Sequence, residues 1–198
     1  MHYLYQSKQS SLRENKMEPF IDKVILTNYQ IEGVVKQVAR KINRLYNGKK
    51  DVYLLGVLDG ARPFCECLDK SGLLVSENYQ FAYIKAKSYG KGFKTSGTVD
   101  IDMLGAINIK GRNVLIIDDI YHTGITLQAL IKKIGEYEPA EVKTCVLLER
   151  DKDMHEVDIK ADIVGAQVID PSFLVGFGLD YQGGHRDLPF IATVRNEK

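Results

Sequence analysis

The run Val114-Leu-Ile-Ile-Asp118-Asp119-Ile-Tyr-His122-Thr123-Gly124-Ile-Thr126-Leu127 constrains this chain most. Four consecutive apolar residues read as a strand buried on both faces, the kind found in a parallel sheet covered by helices. Two carboxylates stand at its carboxyl end, followed by small hydroxyl and glycine residues and then by Leu127, Leu130, Ile131 and Ile134 at helical spacing. Ligands of open α/β sheets bind at that end of the strands.

The residue types say what such a ligand is. Thr123, Gly124 and Thr126 can offer backbone N–H and hydroxyl donors to a phosphate at a helix N-terminus, where the helix dipole also favours negative charge. Asp118 and Asp119 would repel that phosphate if they faced it directly. They suit a ribose diol, hydrogen-bonded through its hydroxyls, or a Mg²⁺ ion whose charge offsets theirs. A phosphorylated sugar satisfies both halves.

The rest of the chain fits an α/β architecture. Ile31, Val34, Val35, Val38, Ile42 and Leu45 recur at helical spacing behind Thr27 or Asn28 as cap, and Asn47-Gly48 ends the pattern. Strands are predicted at 52–58, 80–86, 113–118 and 142–148, with helices over 61–71 and 126–137. Such alternation gives a mainly parallel, twisted sheet flanked by helices, joined by right-handed crossovers. Residues 1–19 are polar and aperiodic and read as a loose arm; residues 20–198 form one domain, with its core over about 27–149. Shorter strands are predicted around 162–168, 173–176 and 190–194.

Composition narrows the function classes. With 27 Lys+Arg against 26 Asp+Glu, the net charge is +1, which gives no electrostatic case for nucleic acid or an anionic membrane. Cys65, Cys67 and Cys145 lack metal-ligand spacing and read as reduced packing residues. No apolar stretch approaches the roughly 20 residues of a membrane span, and the first residues lack a signal peptide's apolar run, so a cytoplasmic protein is expected.

The strand, acid pair and Thr-Gly-x-Thr loop together resemble the signature of the type I phosphoribosyltransferases. A second run, Phe173-Leu-Val-Gly-Phe-Gly-Leu-Asp180-Tyr-Gln-Gly-Gly-His-Arg186, is similar to the C-terminal motif of their hypoxanthine-guanine branch. The resemblance implies that Phe173 stacks on a purine, that Leu174 contacts it through the backbone, that Asp180 lies near Mg²⁺ and pyrophosphate, and that Arg186 holds pyrophosphate with its charged fork. It implies that Asp118, Asp119, Tyr121, His122, Thr123, Gly124, Ile125 and Thr126 surround phosphoribosyl pyrophosphate, with Asp118, Asp119 and Asp180 as the Mg²⁺ set. Leu58, Asp59 and Gly60 match the pyrophosphate loop, where Gly60 would let backbone approach an anion closely. Ser88 and Tyr89, in the basic, glycine-rich run 85–97, match a lid that closes over the sugar and keeps out water. In the fold this family shares, the chain termini, about 20–26 and 150–198, form a small hood over the base.

Three departures from the pattern matter. His122 stands where the family has an aspartate beside the attacking purine nitrogen; neutral, it can accept a proton, and it can equally be a filler of loop space. Arg150, with Lys152 two residues on, stands where a lysine reads the purine 6-oxo group. Asp59 puts an acid where lysine is common. The resemblance implies a purine salvage transferase that uses phosphoribosyl pyrophosphate, Mg²⁺ and hypoxanthine or guanine, with xanthine open, as a homodimer or homotetramer. Catalysis would involve His122, Asp118 and Asp119. The alternatives are a regulatory, RNA-binding attenuator on the same fold and a purine-binding relative without turnover.

Overall fold

The computed structural model describes residues 20–74, 79–88, 99–103 and 107–195. A six-stranded sheet carries the molecule, built from β2 (Val52–Leu58), β3 (Tyr79–Ser88), β4 (Val99–Met103), β5 (Asn113–Tyr121), β6 (Glu141–Arg150) and β7 (Ile163–Val168). Its order is β4-β3-β2-β5-β6-β7, and all neighbours are parallel except the antiparallel edge pair β3-β4. The helices are α1 (Asn28–Leu45), α2 (Arg62–Lys70) and α3 (Ile125–Gly135).

Strand β5 shows why this sheet is central. Val114, Leu115, Ile116 and Ile117 are all fully buried, and burying each contributes roughly 1.5–3 kcal/mol. Alternation divides them between two cores: Leu115 and Ile117 pack on the side of α1 and α2, whereas Val114 and Ile116 pack with Leu127, Leu130 and Ile134 of α3. Helix α1 begins at Thr27, whose side chain accepts from the Gln30 N–H while the Gln30 side chain accepts from the Thr27 N–H at 2.9 Å. This reciprocal cap settles the choice between Thr27 and Asn28.

A second sheet of three strands, order β1-β9-β8, joins β1 (Ile21–Leu26), β8 (Leu174–Val175) and β9 (Ile191–Val194) in antiparallel pairs. This is the small hood expected from the two ends of the described chain. One of its expected strands belongs elsewhere. Residues 163–168 extend the large sheet as β7, parallel to β6, although the connection between them has no α-helix and holds only a single 3-10 turn, Lys152–Met154. Gly165 allows the fit, since a Cβ there would lie 2.4 Å from the Leu147 carbonyl oxygen and 2.7 Å from a Val34 methyl. Strand β4 was also unforeseen, although Val99-Asp-Ile-Asp-Met alternates apolar and polar residues. Residues 1–19 and the lid positions from Tyr89 to Thr98 lie outside the described residues; Ser88 is the last residue of β3. Among the described residues no helix is long and apolar enough to cross a membrane.

Candidate active site

The carboxyl ends of β2, β5 and β6 converge beside the hood. Asp118, at the end of the buried run of β5, is 8% exposed, and its Oδ1 accepts from the Asp119 N–H at 2.9 Å. Asp119 is half-buried, and its Oδ1 accepts from the Ile120 N–H at 2.8 Å. Burial first, and then the adjoining Asp119 charge, hold Asp118 well above the ordinary carboxylate range. Burial raises Asp119 too, against the pull of the Arg186 guanidinium and of several hydrogen bonds. Two enclosed carboxyls with raised affinity for protons form a site that gains from a cation or from hydroxyl donors.

The loop after them leads into the N-terminus of α3. Gly124 sits at φ +84° as the N-cap of α3, a conformation suited to glycine, and a Cβ there would meet Tyr121 and Val157 side chains at 2.5 Å. The α3 N-terminus and the residues Thr123 to Thr126 therefore lie together at the end of β5. A second clasp holds the loop from outside. The Thr123 carbonyl accepts from the Glu156 N–H at 2.9 Å, and Tyr121 donates its hydroxyl to the carbonyls of Ile159 at 2.9 Å and Val157 at 3.3 Å. The Tyr121 ring stacks on His155 at 4.2 Å. Tyr121, expected among the residues around phosphoribosyl pyrophosphate, thus has its side chain buried at 1% exposure and its hydroxyl committed elsewhere, which leaves its backbone for such a contact.

His122 is exposed at the rim of this loop. Desolvation on its protein side, then the positive charges of Arg150 and His155, lower its pKa below the ordinary histidine value, against an opposing pull from Glu156. The neutral, proton-accepting form is therefore favoured at neutral pH.

Leu58, Asp59 and Gly60 close the site from the β2 side, with a cis peptide between Leu58 and Asp59. A Cβ on Gly60 would fall 1.9 Å from Oδ2 of Asp119, so only glycine lets this backbone lie against the acid pair. The hood meets the same loop through Gly178, at φ +96°, where a Cβ would fall 2.0 Å from the Gly60 carbonyl oxygen. Sequence reasoning missed Gly178; its signal was the Gly176-x-Gly178 spacing inside the second motif. Asp59 itself is exposed.

From the hood, Phe173 is half-buried with its ring tilted 57° to Tyr181 at 5.7 Å, and Leu174 is buried in β8. Tyr181, which the sequence did not single out, also stacks on Phe20 at 5.9 Å. Arg186 donates to the Gly178 carbonyl and has its Nε 3.9 Å from Asp180 Oδ1. That Oδ1 is buried without a hydrogen-bond partner among the described residues.

Two expectations change here. Among the described residues no three carboxylates, thiols or imidazoles converge as a metal set, so the expected trio of Asp118, Asp119 and Asp180 is not assembled. The acid pair alone fits Mg²⁺, which commonly takes one or two carboxylates and completes its shell with water and substrate phosphate oxygens. Arg150, read as a donor to the purine, instead turns its guanidinium onto the carbonyls of Asp170 and Ser172. Lys152 is exposed and lines a hollow of about 690 Å³ with Glu149, His155, Lys160 and Gln167, which includes neither Phe173 nor the phosphate loop.

Comparison with known proteins shows what the chain and its fold are similar to. A family model described as the phosphoribosyl transferase domain matches residues 23–182. The hypoxanthine-guanine phosphoribosyltransferase of Aquifex aeolicus is 35% identical over 175 residues, 88% of this chain and 95% of that protein. The protein of the same name from Bacillus subtilis is 33% identical over 181 residues, covering 90% and 96%. A solved hypoxanthine phosphoribosyl transferase of Trypanosoma cruzi superposes with a TM-score of 0.81 at 31% identity, covering 91% of this chain and 94% of that one.

Proposed function

Because the chain belongs to the phosphoribosyl transferase domain family, we propose that it is a purine salvage enzyme. It transfers the 5-phosphoribosyl group of phosphoribosyl pyrophosphate to hypoxanthine or guanine, giving IMP or GMP and pyrophosphate. The observation that carries this reading is the meeting of Asp119, Gly60 and Gly178 beside the N-terminus of α3, because a phosphorylated sugar bearing pyrophosphate would find acids, close backbone and a helix N-terminus side by side there.

In the reaction the bond from the sugar's anomeric carbon to the pyrophosphate oxygen breaks, a bond to an imidazole-ring nitrogen of the purine forms, and that ring loses a proton. The loop from Thr123 to Thr126 holds the 5′-phosphate by backbone N–H and hydroxyl donors. Asp118 and Asp119 accept from the ribose hydroxyls or hold Mg²⁺. When bound, Mg²⁺ supplies positive charge that offsets the charge on the departing pyrophosphate. Gly60 with its neighbours Leu58 and Asp59, and Arg186, receive that pyrophosphate. Phe173 and the Leu174 backbone orient the base, and neutral His122 takes its proton. Holding base and sugar in line is the larger part of such catalysis. The lid at Ser88 and Tyr89 keeps water, the competing nucleophile, from the sugar.

The catalytic unit is one domain from residue 20 onward, placed in the cytoplasm as a homodimer or homotetramer. Three free cysteines favour a reducing compartment. The RNA-binding alternative is not favoured, since the net charge is only +1 and the relatives bear the names of transferases.

A coupled assay with hypoxanthine, guanine, xanthine and adenine tests the assignment. A 6-oxo group accepts a hydrogen bond where adenine presents a donor, and an unpaired buried polar group costs about 1–3 kcal/mol. Hypoxanthine and guanine are expected to react at least about tenfold faster than adenine. Adenine turning over as fast as guanine refutes the 6-oxopurine assignment.

A further inference from the structure

Arg150 closes β6 beside the purine end of the site, yet it is only 5% exposed. One terminal nitrogen donates to the Asp170 carbonyl and the other to the Ser172 carbonyl at 2.6 Å. These carbonyls flank Pro171 and immediately precede Phe173 and Leu174. The Ser172 N–H is bonded to Asp170 Oδ1 at 2.9 Å, so the turn closes on itself and directs both carbonyls to one cation. The third guanidinium nitrogen, Nε, is buried and has no partner among the described residues. A ligand would have to displace protein to reach it. A planar fork can serve two carbonyls at once in a fixed plane, which a single ammonium cannot do with the same geometry. The Arg150 carbonyl meets His155 Nε2 at 3.2 Å, which anchors the base of the fork to the connection that clasps the phosphate loop.

We propose that Arg150 is a positioning residue: by bridging the carbonyls of Asp170 and Ser172 it fixes the turn that presents the Phe173 ring and the Leu174 backbone to the purine, and it does not itself read the 6-oxo group. This rests on the purine reading of the site. It also assigns a role to an arginine at a position where the sequence pattern alone suggested a base contact.

The test compares Arg150→Met, which removes both bonds, with Arg150→Lys, which can retain one. In Arg150→Met the KM for hypoxanthine and guanine rises about tenfold or more, while the KM for phosphoribosyl pyrophosphate stays within about twofold. Arg150→Lys recovers part of the loss. The preference for hypoxanthine over adenine is unchanged in both, because the oxo group is read elsewhere. Amide hydrogen exchange, which needs no substrate, should quicken about tenfold at residues 172–174 and not at 123–128. Unchanged purine KM, a collapsed hypoxanthine preference, a parallel rise in both KM values, or unchanged exchange at 172–174 each overturns the proposal. Should Arg150→Met fail to fold, Arg150→Lys is judged by the same readings. Should the wild-type protein fail to turn over 6-oxopurines, the purine reading falls, and the exchange measurement still decides whether Arg150 fixes the turn.

Discussion

Residues 118–126 bring the acid pair and the N-terminus of α3 together from one stretch of chain, whereas the hood end of the cleft is drawn from the close of β6, the turn at 170–174 and the run from 176 to 186. At the first, a strand, a glycine at φ +84° and a helix N-terminus follow one another in sequence, and connectivity alone brings acids and cradle within reach. At the second, position depends on side chains that reach into backbone, Arg150 to Asp170 and Ser172 and Arg186 to Gly178. It also depends on non-glycine residues at positive φ, namely Phe177, Gln182 and His185. Left-handed backbone of this kind costs roughly 1–2 kcal/mol per residue. In the proposed reading, sugar and 5′-phosphate recognition sits on covalently ordered ground, while recognition of the base, and the hold of Arg186 on pyrophosphate, sit where single side chains can retune them.

The sharpest way to break that contrast is at Asp118 and Asp119. Replacing both by Asn keeps shape and removes charge, and turnover should fall by about 10³-fold or more. Stability should move the other way. Both carboxyls titrate above their ordinary value of 3.8 in the folded protein, so above those raised pKa values the ionised pair opposes folding, and the penalty fades as pH falls toward the ordinary value. In thermal denaturation at neutral pH the double variant should melt at or above the wild-type temperature, by a margin that shrinks in acid. A folded double variant with wild-type kinetics would reduce the pair to a structural turn.

His122 comes next in size. Removing a general base costs about 10²–10⁴ in rate, so His122→Ala should be slower by at least the lower figure. Its lowered pKa places the acid limb of the pH–rate profile below the ordinary histidine value of 6.5, and His122→Asp should move that limb lower still. Full activity of His122→Ala from about pH 5.5 to 8 leaves His122 as a filler of the loop.

The smallest effect is expected across the contrast, at Arg186. Lysine cannot both serve the Gly178 carbonyl and fork an anion, so Arg186→Lys should raise the KM for phosphoribosyl pyrophosphate about tenfold. An unchanged value would mean that this side chain only braces the hood.

The same contrast explains what could be read beforehand. The central strand, both cores and the loop from Asp118 to Thr126 were legible because local period and local chemistry agree there. The capping of α1 was legible for the same reason, down to a choice of two residues. Arg150 was misread because its partners lie 20 and 22 residues away, and no spacing rule announces a bond to a distant carbonyl. Where the Tyr121 side chain goes was not legible, because a tyrosine that faces a ligand loop and one buried behind it look alike in sequence. Strand β7 was assigned to the hood because its connection from β6 lacks the helix by which parallel crossovers are ordinarily recognised. The approach of Gly60 to Gly178 joins two glycines far apart in the chain, and only tertiary contact reveals it.

The connection from β6 to β7 holds one further consequence. Having no helix to satisfy its own backbone, it borrows donors from its neighbour, with the Tyr121 hydroxyl shared between Val157 and Ile159 and the ring laid on His155. Loops usually absorb added or lost residues easily because only their ends are fixed. Here the middle is fixed as well, and a single inserted residue would draw a carbonyl off the tyrosine or the Glu156 amide off Thr123. As relatives of this chain diverge in length, residues 155–159 should be the surface segment least free to do so, a loop with the evolutionary rigidity of a strand.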